Sequence, residues 1–242
     1  MFKRTSGRSY DELRPVKITP NFLNKVPGSV LIEQGNTKIL ITSTIQDGVP
    51  PFLRDTGTGW ITAEYSMIPR SAEMRIPRER NKVSGRTYEI QRLIGRSIRQ
   101  AFDIKNFGEK TIIVDCDVLQ ADGGTRTASI TGGFVSVYHS MIQMLKTGEI
   151  EAIPLKNFVS AVSVGIVKGE MLLDLEYNED SVADVDMNVV MTDDTKIIEI
   201  QATAEGRSFS SEDLNKLLKL SEKGIKELIE KQRDALSLTL AM

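Results

Sequence analysis

Paired runs of β-branched residues joined by tight turns limit the fold more than any other feature of this chain. Residues 30–34 and 38–45 flank Gly35-Asn36-Thr37 and read as one β-hairpin. Residues 158–168 and 170–176 meet at Lys168-Gly169, and 185–192 and 196–204 meet at Asp193-Asp194, which gives two further strand pairs. Single strands are expected at 60–68, opening on the sole tryptophan Trp60, and at 111–119. The stretch 47–59, with Pro50, Pro51, Gly57 and Gly59, reads as a loop. Hairpins do not occur in a sheet built wholly from strand–helix–strand crossovers, so an α+β fold with mixed sheets and packed helices is favoured over a doubly wound parallel sheet.

Helical periodicity appears in three places. Within 86–102, Ile90, Leu93, Ile94, Ile98 and Phe102 recur at helical spacing, while Arg92, Arg96 and Arg99 form a second stripe, so one face is core and another basic. A helix of small residues follows the 111–119 strand and runs to about Lys146; Gly132, Gly133 and Ser136 weaken it intrinsically, so close packing against a neighbour must stabilise it. A final amphipathic helix is capped by Ser210 or Ser211 and carries Leu214, Leu217, Leu218, Ile225, Leu228 and Ile229 on one side. No linker, repeat or low-complexity tract divides the chain, so residues 1–242 are expected to form a single unit, with 237–242 as a short frayed tail. No apolar run approaches the roughly 18 residues needed to cross a bilayer, and Met1-Phe2-Lys3-Arg4 runs into charge where a signal peptide would turn apolar. A cytoplasmic location with no membrane partner is the expectation.

The residue inventory narrows the chemistry. Cys116 and His139 are the only residues of their kinds, which excludes an intramolecular disulfide, metal sites of several Cys or His ligands, and most serine-type triads. His139 falls in the small-residue helix and Cys116 in a strand pattern, and both read as structural. The formal net charge is -2, yet the charge is unevenly placed. Between Arg70 and Arg99 there are nine bases, Arg70, Arg75, Arg78, Arg80, Lys82, Arg86, Arg92, Arg96 and Arg99, against Glu73, Glu79 and Glu89. Such a run is either a helix face laced with ion pairs or a surface for a polyanion, and the shortage of acids favours the second. Arginine's planar fork also suits phosphate better than lysine does. Aromatic residues make up only 6% and none interleaves the arginines, so a stacking platform for single strands is poorly supported.

Two further segments could carry chemistry. Gly123-Gly124-Thr125-Arg126-Thr127 lies between a strand and a helix, where two glycines, a helix start and a guanidinium make an anion cradle. A plain strand-to-helix turn fits the spacing equally, and neither the phosphate-loop nor the dinucleotide-binding glycine pattern is present. Glu179-Asp180-Ser181-Val182-Ala183-Asp184-Val185-Asp186 is dense in acids as it enters a strand. A divalent cation site or a general acid fits, with Asp184 and Asp186 on one face and Asp180 reaching them from the loop; on spacing alone an acidic, solubilising loop is favoured.

Taken together, the motifs resemble the ribonuclease PH family of phosphate-dependent 3′ to 5′ exoribonucleases. The likeness rests on Arg4-Thr-Ser-Gly-Arg-Ser-Tyr-Asp-Glu-Leu-Arg-Pro, Gly59-Trp-Ile-Thr-Ala-Glu-Tyr-Ser-Met-Ile-Pro-Arg, Gly85-Arg-Thr-Tyr-Glu-Ile-Gln-Arg, Asp115-Cys-Asp-Val-Leu-Gln-Ala-Asp-Gly-Gly-Thr-Arg-Thr and Glu179-Asp-Ser-Val-Ala-Asp-Val-Asp, which cover nearly the whole chain. It departs slightly, with Ser66 for an expected glycine and a divergent 71–80 stretch. The resemblance implies a fold like the second domain of ribosomal protein S5 and a homohexameric ring built as a trimer of dimers. It implies trimming of tRNA 3′ ends with inorganic phosphate as co-substrate and a divalent cation, Mg²⁺, as cofactor. It places Arg86, Gly124, Thr125 and Arg126 on the attacking phosphate and Asp180 and Asp186 in chemistry or metal binding, with Asp184 as a supporting acid. With the basic run, it points to RNA contacts by Arg70, Arg75, Arg78, Arg80, Arg92 and Arg96. Some relatives are catalytically silent RNA-binding subunits of larger assemblies; here the arginines, the glycine turn and both acids are all present, which favours the enzyme.

Overall fold

The structure, a computed structural model, describes residues 3–79 and 82–240. Five strands, β1 (Val16–Pro20), β2 (Val30–Gln34), β3 (Thr37–Asp47), β4 (Trp60–Met67) and β5 (Lys110–Gln120), form a sheet in the order β1-β2-β3-β5-β4. The β2–β3 hairpin closes with Gln34 opposite Thr37, and alternation of buried and half-buried residues along β2 and along β3 as far as Ser43 turns Val30, Ile32, Ile39 and Ile41 inward. The neighbouring strands are antiparallel except β4 and β5, which run parallel. A parallel pair needs a crossover, and α1 (Gly85–Ala101) supplies it. Ser84 caps α1, its hydroxyl accepting from the Thr87 amide at 3.1 Å, and Ile90, Leu93, Ile94 and Ile98 are buried as their spacing requires.

The second sheet holds β6 (Val159–Val167), β7 (Glu170–Leu173), β8 (Val185–Thr192) and β9 (Ile197–Ala204) in the order β7-β6-β8-β9, all antiparallel. Its covering helix is α4 (Ser211–Leu240), entered through a reciprocal cap in which the Ser210 hydroxyl accepts from the Asp213 amide (3.1 Å) and the Asp213 carboxylate accepts from the Ser210 amide (3.0 Å). Helix α4 continues to Leu240, through most of the segment expected as a frayed tail. Apolar residues at helical spacing, Leu228, Ala235 and Leu236, stay buried along it.

Between the two sheets lies α2 (Thr125–Thr147), packed on β2, β3 and β5 on one side and on β6 and α4 on the other. Burial on all sides explains its small residues: a methyl group at Gly132 would press on Ile41 and Ile32, and one at Gly133 on Ile98. Gln232 of α4 fastens the layer, donating to the Thr131 and Val159 carbonyls, each at 2.9 Å. His139 is buried in α2, where burial pushes its pKa down to about 4, and Cys116 is buried in β5 with its thiol pKa pushed up by the same cause. Both therefore stay neutral near pH 7, in keeping with structural roles. Among the described residues no helix is long and apolar enough to cross a membrane.

Among the strands and α-helices two escape a sequence reading, β1, whose five residues end in Pro20, and α3 (Tyr177–Asp180), a single turn at the start of the acidic segment.

Candidate active site

Where β5 ends, the chain must turn sharply into α2, and the turn is made by two successive left-handed glycines, Gly123 (φ 74°) and Gly124 (φ 66°). A Cβ on Gly123 would also collide with the Leu175 carbonyl, so only glycine fits there. Thr37 pins the turn: its hydroxyl accepts from the Asp122 amide (3.0 Å) and donates to the Gly123 carbonyl (2.7 Å). Intrahelical bonding in α2 begins with the Ala128 amide on the Gly124 carbonyl at 3.0 Å, which leaves the first-turn amides, those of Thr125 and Arg126 included, without helical partners. The Tyr65 phenol, buried at the end of β4, lies 2.8 Å from the Thr125 hydroxyl and fixes it.

This turn forms the floor of a cleft of about 1150 Å³ that also takes in Arg86, Arg126, Asp180 and Asp186. Arg86 stands on the first turn of α1 and is exposed. Arg126 stands on the first turn of α2, where its guanidinium donates to Gln201 of β9 at 2.9 Å and lies 3.5 Å from Glu89 of α1. Asp180 closes α3, and Asp186 is the second residue of β8. Burial raises the pKa of the Asp180 carboxyl against the pull of Arg126 and Arg86. Asp186 is pushed up to about 6, first by burial and then by the Asp180 charge, again against Arg126 and Arg86. Four charged groups from four elements thus share one field: two guanidiniums able to grip an anion and two carboxyls that take a proton or a cation readily.

The basic run divides. Arg70 and Arg75 line the cleft. Arg78 is exposed on the same segment without lining it, and Arg80 lies outside the described residues. Two of the three arginines of the α1 stripe are engaged by other parts of the fold. Arg96 is paired with Glu199 of β9 at 3.1 Å, and Arg99 lies 4.0 Å from the Trp60 ring centroid and donates to the Ile61 carbonyl at 2.6 Å. Arg92 is exposed on α1 and does not line the cleft. For Arg96 the ion-pair reading of a charge run holds, with a partner from a strand distant in sequence, whereas Arg99 is held by an aromatic ring and a carbonyl rather than by an acid.

Asp184 also departs from expectation. It lies in a bend before β8 starts, so strand alternation does not extend to it; its carbonyl accepts from the Glu205 amide at 3.0 Å and it does not line the cleft. Among the described residues no group of three His, Cys, Asp or Glu side chains could hold a metal. The pair Asp180 and Asp186 still suits Mg²⁺, which takes one or two carboxylates and completes its shell with water and substrate phosphate oxygens.

Several cleft residues carried no signal in the sequence. Tyr177 lines the cleft 60% exposed, three residues before Asp180. Behind the cleft lie two buried ion pairs, Arg14 with Asp174 and Arg4 with Glu179, each at 2.7 Å. Both arginines stand in the quoted N-terminal motif, but their partners are at least 160 residues away, and only the fold reveals the pairing.

The sequence models of the 3′ exoribonuclease family match here, domain 1 over residues 12–143 and domain 2 over 157–224. The chain is 54% identical over 236 residues to ribonuclease PH of Bacillus subtilis, covering 96% of both chains. It is 53% identical over 240 residues to that of Bacillus velezensis, covering 98% of both. Among solved structures, an Archaeoglobus fulgidus exosome chain, from a complex with RNA bound to the active site, superposes with a TM-score of 0.81 at 26% identity, covering 95% of this chain and 92% of that one. With both family domains matched and more than half of all positions shared along nearly the full length, the chain belongs to the 3′ exoribonuclease family, in its ribonuclease PH group.

Proposed function

We propose that the cleft carries out phosphorolysis of RNA from its 3′ end, shortening tRNA precursors one nucleotide at a time. An oxygen of inorganic phosphate attacks the phosphorus of the terminal phosphodiester, the bond from phosphorus to the penultimate 3′-oxygen breaks, and a nucleoside diphosphate leaves. Two anions must meet, and the observation that carries the reading is that Arg86 and Arg126 flank the glycine turn in one cleft with Asp180 and Asp186. Arg86, Arg126 and the backbone amides of residues 124–126 neutralise and aim the phosphate, which needs no histidine base because it arrives deprotonated. The departing 3′-oxygen needs a proton or a cation, and the raised pKa of Asp186 makes it the group to supply the proton. A divalent cation held by Asp180 and Asp186 would supply the same neutralising charge.

On the RNA side, Arg70 and Arg75 offer phosphate contacts within the cleft, Arg78 extends the run beyond it, Arg80 continues the run in sequence, and the exposed Tyr177 ring offers a face to the terminal base. One copy presents few such contacts, which supports a ring-shaped homo-oligomer, a hexamer of three dimers, that gathers several copies around one RNA. The chain works as a single unit in the cytoplasm; α2, shared by both sheets, supports the first point. The test is to incubate the protein with a short 3′-tailed RNA, with and without phosphate. Nucleoside diphosphates formed only with phosphate are expected; monophosphates, or cleavage without phosphate, overturn the reading.

A further inference from the structure

We propose that residues 4–14 form a strap that sets the phosphate cradle against the acid pair, with Arg14 and Arg4 as positioning residues for the two halves of the site. The proposal rests on the reading of the cleft given above. Both halves need such help. The cradle is a turn of two glycines, the most conformationally free residues, and Asp180 ends α3, a helix of four residues that cannot be stable alone.

Arg14 holds the cradle. It is 4% exposed, and its guanidinium donates to both carboxylate oxygens of Asp174, at 3.0 and 2.7 Å. Two further donors reach the carbonyls of Asp122 and of Gly123, the latter at 3.4 Å. The Asp174 carboxylate is further held by the Arg14 amide and the Gln34 side-chain amide, each at 2.8 Å. Arg14 reaches the turn past Gly35, where a Cβ would meet its Cδ at 2.6 Å.

Arg4 holds the acids. It is 2% exposed, and all five of its guanidinium donors are engaged. Two go to the Glu179 carboxylate at 2.8 and 2.7 Å, and three to the carbonyls of Ser9, Leu173 and Asp174 at 3.2, 2.9 and 3.0 Å. Glu179 immediately precedes Asp180, and its carboxylate also accepts from the Glu176 amide at 3.2 Å, starting the turn. Arg8 lies between, 3.8 Å from each of Asp174, Glu176 and Glu179, so three cations of the strap face three anions at 174–179. Buried ion pairs add little net stability, because desolvation offsets attraction; what they do well is specify a geometry. The segment containing Arg4 and Arg8 precedes residue 12, where the first family match begins.

The two arginines serve different halves, so their conservative replacements should fail differently. Inorganic phosphate binding is measured by calorimetry without RNA, and single-turnover cleavage is measured at saturating phosphate. Arg14→Lys keeps the charge but cannot reach Asp174 and two carbonyls together; it should weaken phosphate binding roughly tenfold while the saturated rate stays within about threefold. Arg4→Lys should leave phosphate binding within about twofold, lower the saturated rate roughly tenfold or more, and shift its pH profile. Parallel loss of both quantities in both variants, or no change in either, overturns the strap. Should a variant fail to fold, wild type decides: phosphate should slow amide hydrogen exchange in 120–127 and in 4–14 together, and protection of 120–127 alone overturns the strap. Failure of phosphate to bind wild type at all overturns the reading of the cleft, and the strap with it.

Discussion

Asp186→Asn isolates the conflict built into this cleft. Burial and the Asp180 charge hold the Asp186 carboxyl at about 6, against its ordinary 3.8, so the folded chain binds that proton more tightly than the unfolded chain does. The sign follows from linkage: the stability cost is absent below pH 3.8, grows between 3.8 and 6, and is complete above 6. At 1.36 kcal/mol for each tenfold change in proton affinity, the ionised carboxylate costs about 3 kcal/mol at pH 8. Asparagine keeps the shape and never ionises, and the hydrogen bond it risks, from the Asn188 amide to Asp186, is long at 3.5 Å. The variant should therefore be more stable than wild type by about 3 kcal/mol at pH 8, and about equal to it below pH 4. Denaturant titrations at both pH values in a chelator measure this, and phosphorolysis measured beside them should be roughly 100-fold or more slower, the scale for removing a general acid or a metal ligand. Added Mg²⁺ should then stabilise wild type at pH 8 and leave the variant unchanged. A variant no more stable at pH 8 than at pH 4, relative to wild type, would refute the account of strain at Asp186, and normal turnover would refute its role in the reaction.

Arg126→Lys should lower kcat/KM for phosphate roughly 100-fold although charge is kept, because one ammonium cannot reproduce a two-pronged grip; steady-state kinetics in phosphate would show it. Arg75→Ala with Arg78→Ala should weaken RNA binding and make its salt dependence shallower, the logarithmic slope falling by about one for each arginine–phosphate interaction removed, with phosphate affinity intact in a filter-binding and calorimetry comparison. Tyr177→Ala should weaken binding of RNA and of nucleoside diphosphates roughly tenfold without sequence preference, and Tyr177→Trp should restore it. Light scattering should find a ring-sized oligomer; a monomer that still trims structured tRNA at full rate would contradict the gathering of several arginine segments around one substrate.

Elements with their own local period were legible. The hairpin at β2–β3, the apolar face of α1 and the cap of α4 each follow from neighbours within a few residues, and the structure has them where the sequence places them. The glycine turn was equally plain, since Gly123-Gly124 between a strand and a helix leaves the chain few options. What could not be read were consequences of distant pairing. Arg96 looked free for RNA because Glu199 lies more than a hundred residues on, and Arg4 and Arg14 showed a motif without a purpose until Glu179 and Asp174 came beside them. Asp184 misled through a boundary: alternation was extended one residue beyond where β8 begins. α3 was missed because four residues carry no period at all.

α2 is wedged between two sheets with no space for a methyl group at Gly132 or Gly133, so it cannot tilt or slide without displacing Ile32, Ile41 and Ile98. The anion-facing end of such a helix is ordered before any ligand arrives. On the helix side phosphate therefore meets a rigid wall, and the ordering it adds is confined to the glycine turn and the strap behind it, so its association should be driven by enthalpy with a modest entropy cost. Anion affinity then becomes a property of the hydrophobic core: Gly132→Ala, about 10 Å along the helix from Thr125, should weaken phosphate binding without touching a single charged group.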